Sequence, residues 1–404
     1  MVLNSLYELG KHIEKNEGVS KFESLLSLDR LADCKKIIAI KFQIKDDGLK
    51  YVGTHVEGYD KNKGRKMLYM RGSPRGGDNS PTSKITRLYE TIEDKEKAKS
   101  GRDTLQRIWD YGWFKKEGAN SELTKKIKKE YQDKEEKIRN EVYSIYENLE
   151  TDEKRNSVLT LKLIKNDRES FIDDFEVFNR SLEKIALNKL KNKYGVKSEG
   201  KGVCALCKEE KDVTGFAFPF PFYTLDKKGF APYLDTSKSH QRIPICEDCS
   251  FYLQIGKNFL EDNAFNFNIP FEDRIKYYVI MDFILGAKGE DTYSNLLSRI
   301  ENAKLKNEVD FPLISVEDYM TEVIMKENPS ILNLHFLFYS KPQQSQQRIE
   351  EFVTDVPPSY LREIKNKINK IKNGWLLDQN NLGKIGLDSF NIKSKERGYL
   401  ESLI

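Results

Sequence analysis

The sequence lacks any apolar run long enough to cross a bilayer. A membrane-spanning helix needs roughly 20 consecutive apolar residues, and no stretch of these 404 residues approaches that length. The first residues, MVLNSLYELGKHIEKNEG, form an amphipathic pattern without the regions of a signal peptide. These absences predict a cytoplasmic protein with no membrane partner.

Histidine is scarce, and the usual catalytic motifs are missing. None of the 4 His stands in HExxH or an HD pair, and GxxxxGK[ST], GxSxG and a GxGxxG after a strand do not occur. Acidic residues are plentiful, but no pattern pairs them for two-metal chemistry. The chain is therefore predicted to bind rather than to catalyse. His240, in TSKSHQR, could be an extra metal ligand, a nucleic-acid contact or an ordinary surface residue.

The chain also has little net charge, because its positive and negative residues nearly cancel. Hydrophobic residues make up 38% and charged residues 33%, with 20 Tyr and 22 Phe, yet the formal net charge is only +4. The core-forming residues are too abundant for a disordered chain. Any nucleic acid must therefore be bound by a local basic patch rather than by the chain as a whole.

Cysteine is rare, but its spacing is the strongest chemical signal. Of 5 Cys, four form the pairs CALC at 204–207 and CEDC at 246–249. Each pair can chelate an ion from one turn, and two pairs complete a tetrahedron with no open position, as in structural zinc sites. The predicted ligands of one structural Zn²⁺ are Cys204, Cys207, Cys246 and Cys249. The alternatives are four reduced core cysteines or a dithiol redox pair; the lone Cys34 is expected to be a small core residue.

A second signal is the basic window, residues 61–87, which contains the Gly-rich stretch RGSPRGGDNSP. Its eight Lys and Arg and its single acid, Asp78, give a charge of +7, larger than that of the whole chain. Glycines let backbone N–H groups approach a phosphate, and arginines pair bidentately with phosphates or guanine edges. The predicted nucleic-acid-binding residues are Lys66, Arg71, Gly72, Arg75, Gly76, Gly77, Lys84 and Arg87. The alternative is a solvated surface loop.

Apolar periodicity predicts a multi-domain α+β protein. An N-terminal domain of mixed antiparallel sheet and helix, 1–120, carries the basic window. A helical and strand segment, 121–200, precedes a central four-cysteine zinc-binding module, 201–262, and a helix-rich C-terminal part, 263–404. Helices are predicted at 3–15, 20–32, 121–150, 167–190, 291–303, 346–355 and 358–373, and strands at 36–44, 49–58, 65–72, 157–164, 274–286 and 331–340.

Taken together, these motifs resemble the large subunit of type I-B CRISPR effector complexes (Cascade). The resemblance rests on the order CALC, FPFPFYTLDKKGF and RIPICEDCSFYLQIGKNFL. Upstream, RGSPRGGDNSPTSKIT is similar to the family's Gly-rich loop ending in Pro-Thr. Downstream, LHFLFYS and EEFVTDVPPSYLREI resemble its strand and Pro-containing helix start, so the matches span 36–373.

The resemblance implies a non-catalytic protein of antiviral defence. In that family the large subunit recognises the short motif (PAM) flanking a double-stranded DNA target and supports recruitment of a helicase–nuclease. It implies as further partners the guide RNA (crRNA), the subunit that binds the 5′ handle of that RNA, and the backbone subunits. Family members usually continue into a C-terminal helical bundle, and this chain stops at Ile404, which predicts a truncated form.

Two other classes of function stay open from the residues alone. A zinc-dependent nuclease or RNA-processing enzyme would need an open position on its metal. A zinc-ribbon adaptor that binds only protein would leave the basic window solvated.

Overall fold

The computed structural model forms two compact units. The continuous unit is Ser20–Lys197, and the discontinuous unit joins Met1–Val19 to Ser198–Ile404. Most of the predicted ranges 1–120 and 121–200 thus lies in the continuous unit, whereas the first helix belongs to the discontinuous unit, which contains both CxxC pairs. The structure describes residues 2–18, 23–45, 48–72, 78–98, 103–111, 113–115, 121–193, 195–223, 227–262, 266–269, 272–283, 332–342, 347–357, 360 and 363.

Both units contain helices and strands, which confirms the predicted multi-domain α+β class. The helices are α1 (Val2–Glu17), α2 (Lys61–Lys66), α3 (Ile92–Lys97), α4 (Thr104–Gln106), α5 (Glu122–Asp133), α6 (Glu135–Glu147), α7 (Thr151–Arg155), α8 (Glu176–Lys191) and α9 (Glu247–Asp262). The strands are β1 (Lys36–Lys45), β2 (Gly48–Gly58), β3 (Ser83–Lys84), β4 (Ser157–Lys165), β5 (Arg168–Phe171), β6 (Asn192–Lys193), β7 (Val196–Lys197), β8 (Glu199–Val203), β9 (Glu210–Thr214), β10 (Ile245–Cys246), β11 (Asn266–Ile269), β12 (Glu272–Phe283), β13 (Leu332–Ser340) and β14 (Arg348–Val356). Within the described residues, no helix has the length and apolar content that crossing a bilayer requires.

The continuous unit is built on a sheet with the order β2-β1-β4-β3, to which β5 adds beside β4. Strands β1 and β4 run parallel, whereas β2, β3 and β5 pair antiparallel to their neighbours. Because β1 and β4 lie at the centre, both of their faces are buried from Ile37 to Ile40 and from Ser157 to Leu163. This double burial explains why both read as apolar runs rather than as alternating patterns.

Helices α5 and α6 cover one face of that sheet. Their buried stripe includes Ile127, Tyr131, Ile138 and Val142, and the ring of Trp109 stacks on Tyr131 with centroids 4.0 Å apart. The single long helix predicted at 121–150 is wrong, because Lys134 interrupts it (φ −121°, ψ 12°). Neither Gly nor Pro marks the break, so the sequence carried no local signal for it.

In the discontinuous unit, α1 and α9 pack unusually closely. A Cβ added at Gly10 would lie 1.9 Å from the carbonyl oxygen of Tyr252, and one at Gly256 would lie 2.3 Å from that of Leu6. Only glycine permits such an approach at these two positions. The contact holds the first helix of the chain against the helix that begins at the second cysteine pair.

Two sheets accompany these helices. The small antiparallel sheet β10-β9-β8 carries both cysteine pairs at its ends, and β11-β12-β13-β14 forms a second antiparallel sheet. Stacked rings of Tyr278 and Tyr339, 4.5 Å apart, lie in the second sheet, and Phe220 of the Pro- and Phe-rich stretch packs 5.8 Å from Tyr278. Phe220 is therefore part of the core of this unit.

Several predicted elements are wrong in the continuous unit. Residues 65–72 do not form a strand: α2 ends at Lys66, and Met67–Met70 are buried without strand pairing. Asp60 caps α2 by accepting a hydrogen bond from the Lys63 N–H at 2.9 Å, a signal that an apolar-run reading overlooks. The helix predicted at 20–32 is instead two 3₁₀ turns, Glu23–Leu25 and Leu28–Leu31. The helix predicted at 167–190 begins only at Glu176, after the β4–β5 hairpin.

One helix predicted in the C-terminal part is also wrong. Residues 346–355, predicted as a helix, lie largely within β14, which pairs antiparallel with β13. The β-branched and aromatic residues of RIEEFVTDV suit a strand, and β13 offers the backbone groups that complete the ladder. All elements described between 266 and 356 are strands. The helix predicted at 291–303 lies outside the described residues, and so does the helix predicted at 358–373 apart from residues 360 and 363.

Candidate metal centre

The first cysteine pair lies in the turn that joins β8 to β9. The N–H of Cys204 donates to the carbonyl oxygen of Glu209 at 2.9 Å, and that of Lys208 donates to the carbonyl oxygen of Cys204 at 3.0 Å. Lys208 adopts a left-handed conformation (φ 63°), which reverses the chain directly after Cys207. Both sulfurs therefore come from one closed turn.

The second pair lies where β10 passes into α9. Cys246 ends β10 and pairs with Val213 of β9, and Cys249 stands in the first turn of α9. The N-terminal end of a helix carries partial positive charge, which favours an anionic sulfur there. The Cys246 N–H also donates to the Cys204 sulfur at 3.4 Å. Pairing of β10 with β9 thus brings the two turns together.

The four sulfurs form one compact cluster. Their ligand atoms all lie within 4.8 Å of one another, and the Sγ atoms of Cys207 and Cys246 are 3.9 Å apart. A zinc ion with bonds of about 2.3 Å places tetrahedral sulfurs roughly 3.8 Å apart, so the donor set and its dimensions fit that ion. Three of the cysteines are buried and Cys207 is half-buried. The predicted ligand set is therefore brought together, compatible with zinc.

Burial and backbone hydrogen bonds act against each other at these thiols. Burial raises the pKa of Cys246 to about 11 and raises the pKa of Cys249 well above its usual range. At Cys204 burial acts in the same direction, but three backbone N–H groups outweigh it and lower its pKa to about 7. The donors are the N–H groups of Cys246, Leu206 and Cys207. A divalent cation would stabilise all four thiolates against the cost of burial.

Two residues outside the motif interact with the cluster, one by a hydrogen bond and one electrostatically, and the sequence did not predict them. The Tyr7 hydroxyl, on α1, hydrogen-bonds to the Cys249 sulfur, and burial together with this neighbour raises the pKa of Tyr7 above its usual range. Lys211, on β9, forms ion pairs with Glu209 at 2.6 Å and Asp248 at 3.7 Å. Glu209 first, and then the nearby sulfurs of Cys246 and Cys207, raise the pKa of Lys211. Lys211 thus supplies positive charge beside four sulfurs whose zinc complex would be anionic.

Neither the candidate ligand His240 nor the fifth cysteine, Cys34, belongs to the cluster found in the described residues. The ring Nδ1 of His240 lies 3.2 Å from the Ser198 hydroxyl, and its backbone N–H donates to the same oxygen at 3.0 Å. Cys34 is buried in the core of the continuous unit beside Ile37 and Val158, as predicted for a small core residue.

The basic window lies in the continuous unit, where its loop has a firmly bonded stem. The Asn79 N–H donates to the Met70 carbonyl oxygen at 2.8 Å, and the Met70 N–H donates to the Ser80 hydroxyl at 3.1 Å. Both carboxylate oxygens of Asp78 are engaged, by the Gly72 N–H at 3.1 Å and by the Ser83 hydroxyl at 2.7 Å. Residues 70–72 and 78–83, on either side of the Gly-rich stretch, are therefore hydrogen-bonded to one another.

The predicted nucleic-acid-binding residues occupy different parts of this stem. Lys66 ends α2 and is exposed, whereas Arg71 is half-buried and Lys84 is half-buried in β3. Arg87 is exposed, and its guanidinium donates to the Tyr89 hydroxyl at 3.4 Å. Arg75, Gly76 and Gly77 fall outside the described residues. Binding of nucleic acid by the whole set stays a prediction.

Comparison with known proteins reveals matches at the level of a family. Residues 2–184 match the model of the N-terminal domain of CRISPR-associated protein TM1802 (cas_TM1802), and residues 201–356 match the model of its central domain. The two matches follow one another and account for most of the chain. Comparison with curated proteins and with solved structures gives no match. The CRISPR association that the resemblance implied is thereby confirmed.

Proposed function

The chain belongs to the family of CRISPR-associated protein TM1802, and we propose that it is the non-catalytic large subunit of a type I CRISPR RNA-guided surveillance complex. In this role it recognises the PAM in double-stranded target DNA, contacts the 5′ region of the guide RNA and supports recruitment of the helicase–nuclease. The other effector subunits are its protein partners in cytoplasmic antiviral defence. The observation that carries the proposal is the match of both the N-terminal and the central domain of one CRISPR-associated family.

The cysteine cluster holds one structural Zn²⁺ in this proposal. Four thiolates occupy every position of a tetrahedral ion, so the ion stabilises the fold and leaves no position for a reacting water. What it would tie together is the β8–β9 turn and the start of α9. Because α9 packs on α1 through Gly10 and Gly256, the cluster supports the helix pair as well.

Recognition of the target is assigned to the basic window. Lys66, Arg71, Arg75, Lys84 and Arg87 contact phosphates, and Arg71 or Arg75 reaches a base edge. The bonded stem supports this assignment, because a loop with fixed ends loses less conformational entropy when it binds. In such complexes the guide RNA reads the target by base pairing, and protein side chains read a few base pairs and the backbone.

The test is a double variant, Arg71→Ala with Arg75→Ala, in the assembled complex. We expect weaker binding to a PAM-containing duplex and a flatter dependence of affinity on salt, by about 0.9 in the logarithmic slope for each phosphate that is no longer neutralised. Lys97→Ala with Lys126→Ala is the matched control: it removes two exposed positive charges elsewhere in the same unit, each paired within its own helix.

Two results would contradict the proposal. Unchanged affinity and an unchanged salt slope in the arginine variant would show that the basic window does not take part in target recognition. Metal-dependent cleavage of nucleic acid by the purified chain would contradict the non-catalytic role and favour a zinc-dependent nuclease.

A further inference from the structure

A surface segment between the cysteine pairs, residues 227–242, exposes aromatic and basic side chains side by side in the sequence. Tyr233 is 82% exposed, Leu234 66% and Phe230 54%. Fully solvated rings contribute little to folding, since the apolar area stays in water. The exposed basic residues of the segment are Lys227, Lys228, Lys238 and Arg242.

The segment is a fixed part of the fold. It consists of three 3₁₀ turns, Lys228–Phe230, Pro232–Leu234 and Thr236–Gln241. The buried Ser198 hydroxyl anchors the last turn, donating to the Ser237 carbonyl oxygen at 2.8 Å and accepting from the His240 N–H at 3.0 Å. The guanidinium of Arg242 donates to the Phe230 carbonyl oxygen at 2.5 Å, which joins the last turn to the first. Its side chains are therefore presented from a defined backbone.

The backbone under the most exposed ring is itself disfavoured. Tyr233 (φ 57°, ψ 23°) and Leu234 (φ 57°) are both left-handed, a conformation that residues other than glycine rarely adopt. Two such residues in succession display a tyrosine and a leucine to solvent. Strained backbone retained under an exposed aromatic side chain is characteristic of binding sites.

Charge decides which partner suits these rings. The Nζ atom of Lys238 lies 5.1 Å from the centroid of the Tyr233 ring. The only acid of the segment, Asp235, has one oxygen engaged by the Ser237 N–H at 3.0 Å and hydroxyl at 2.7 Å. Among the described residues, none of the four basic side chains forms an ion pair. Four exposed cations against a single carboxylate, beside solvated aromatic rings, suit a polyanion that carries planar bases.

We propose that residues 227–242 bind single-stranded nucleic acid, whose bases stack on Tyr233 and Phe230 and whose phosphates contact Lys227, Lys228, Lys238 and Arg242. Aromatic platforms within a basic surface bind single strands in this way, because every base has a π-face. The platform belongs to the discontinuous unit and the basic window to the continuous unit, and this proposal does not depend on recognition of a duplex by the window.

The test measures binding of the purified full-length chain to fluorescent thymidine and uridine oligonucleotides of about 16 nucleotides. Tyr233→Ala should weaken binding about tenfold, whereas Tyr233→Phe, which keeps the ring, should bind as the original chain does. Leu234→Ala is the matched control, because it removes a neighbouring exposed side chain without a π-face. Zinc content and thermal unfolding should stay unchanged, since the Tyr233 ring is solvated.

A salt titration tests the role of the lysines separately. Lys227→Gln with Lys228→Gln should reduce the logarithmic salt slope for single strands by about 1.4, because two phosphates are no longer neutralised. An unchanged salt slope would show that Lys227 and Lys228 do not contact phosphates.

Tyr233→Ala that binds both oligonucleotides normally would overturn the proposal. The same variant losing a protein subunit of the complex while keeping oligonucleotide affinity would identify the segment as a protein-docking surface and would equally overturn it. The arginine variant of the basic window is assayed on duplex target in parallel, so failure of one proposal is distinguishable from failure of the other.

Discussion

The cysteine cluster is closed and buried, whereas the basic window combines a buried stem with basic side chains at the surface. In the cluster the four sulfur atoms lie within 4.8 Å of one another. Tyr7 hydrogen-bonds to Cys249, and Lys211 pairs with Glu209 beside the sulfurs. In the window the backbone of the stem is bonded within the chain, but the side chains of Lys66 and Arg87 extend to the surface. The first region is thus organised around its own four sulfurs, whereas the second exposes cationic side chains to solvent.

The same contrast is visible in how charge is balanced. Four thiolates around one zinc would carry excess negative charge, and Lys211 lies beside them. Within the basic window, Lys63 forms ion pairs with Glu57 at 3.0 Å and Asp60 at 3.8 Å, so part of the positive charge is compensated inside the fold. The predictions below separate the two regions, in order of decreasing expected effect.

Cys204→Ser should have the largest effect. It removes one of four ligands, and the apparent binding energy of a structural zinc site is on the order of 10 kcal/mol. We expect loss of zinc and of most soluble protein, with no separate loss of a chemical step. Zinc per chain by mass spectrometry and the yield of soluble protein measure this, with Cys34→Ala as the control that keeps the metal. A folded, soluble, metal-free Cys204→Ser protein would contradict a structural role for the cluster.

Lys162→Met should have an intermediate effect on the other unit. Lys162 is buried on β4 and forms ion pairs with Glu57 at 2.5 Å and Glu169 at 2.9 Å. Its loss leaves two carboxylates without their shared cation, and we expect the free energy of unfolding to fall by about 2 kcal/mol at neutral pH. Chemical denaturation measures the decrease. Lys165→Met, at the exposed end of the same strand, should leave stability unchanged.

The same network predicts a pH dependence. Burial favours the neutral form of Glu57, but Lys162 and Lys63 outweigh it and lower the pKa of that carboxyl. A carboxyl with a lowered pKa in the fold stabilises it above the unfolded pKa, and the contribution is lost as pH falls through the folded value. Stability should therefore decline below about pH 4.3, and less steeply in Lys162→Met. Equal slopes in both proteins would count against this network.

Tyr7→Phe should have the smallest effect. It deletes the hydrogen bond to the Cys249 sulfur and keeps the ring that packs edge-on against Tyr252 at 5.6 Å. Partners of metal ligands typically change metal affinity about tenfold or more, so zinc should be lost to a competing chelator at about tenfold lower chelator concentration. Tyr233→Phe is the matched control, because its side chain is far more exposed. Identical chelator curves would show that the Tyr7 hydroxyl does not support the site.

Local patterns predicted the ligand set better than they predicted the elements around it. The CxxC spacing specifies a chelating turn wherever it occurs, so the four ligands could be named from the sequence. Strand β4 and helix α1 were also predicted, because apolar spacing depends only on neighbouring residues. The strand predicted at 65–72 and the helix predicted at 346–355 were wrong, because neither region follows its local apolar pattern. The cap at Asp60 starts a helix before the first, and pairing with the edge of β13 makes the second a strand.

The four cysteines of the candidate metal centre, the basic window and the α+β class follow from the sequence alone, since each depends on residue type and short-range spacing. Tertiary structure decided which distant residues complete the sites. It brought Tyr7 to Cys249 through the glycine-dependent contact of α1 and α9, and it placed Lys211 beside the sulfurs. It also decided that the stem of the basic window is held by hydrogen bonds and that Tyr233 is exposed to solvent. These features arise from packing between residues far apart in the chain, which local periodicity does not encode.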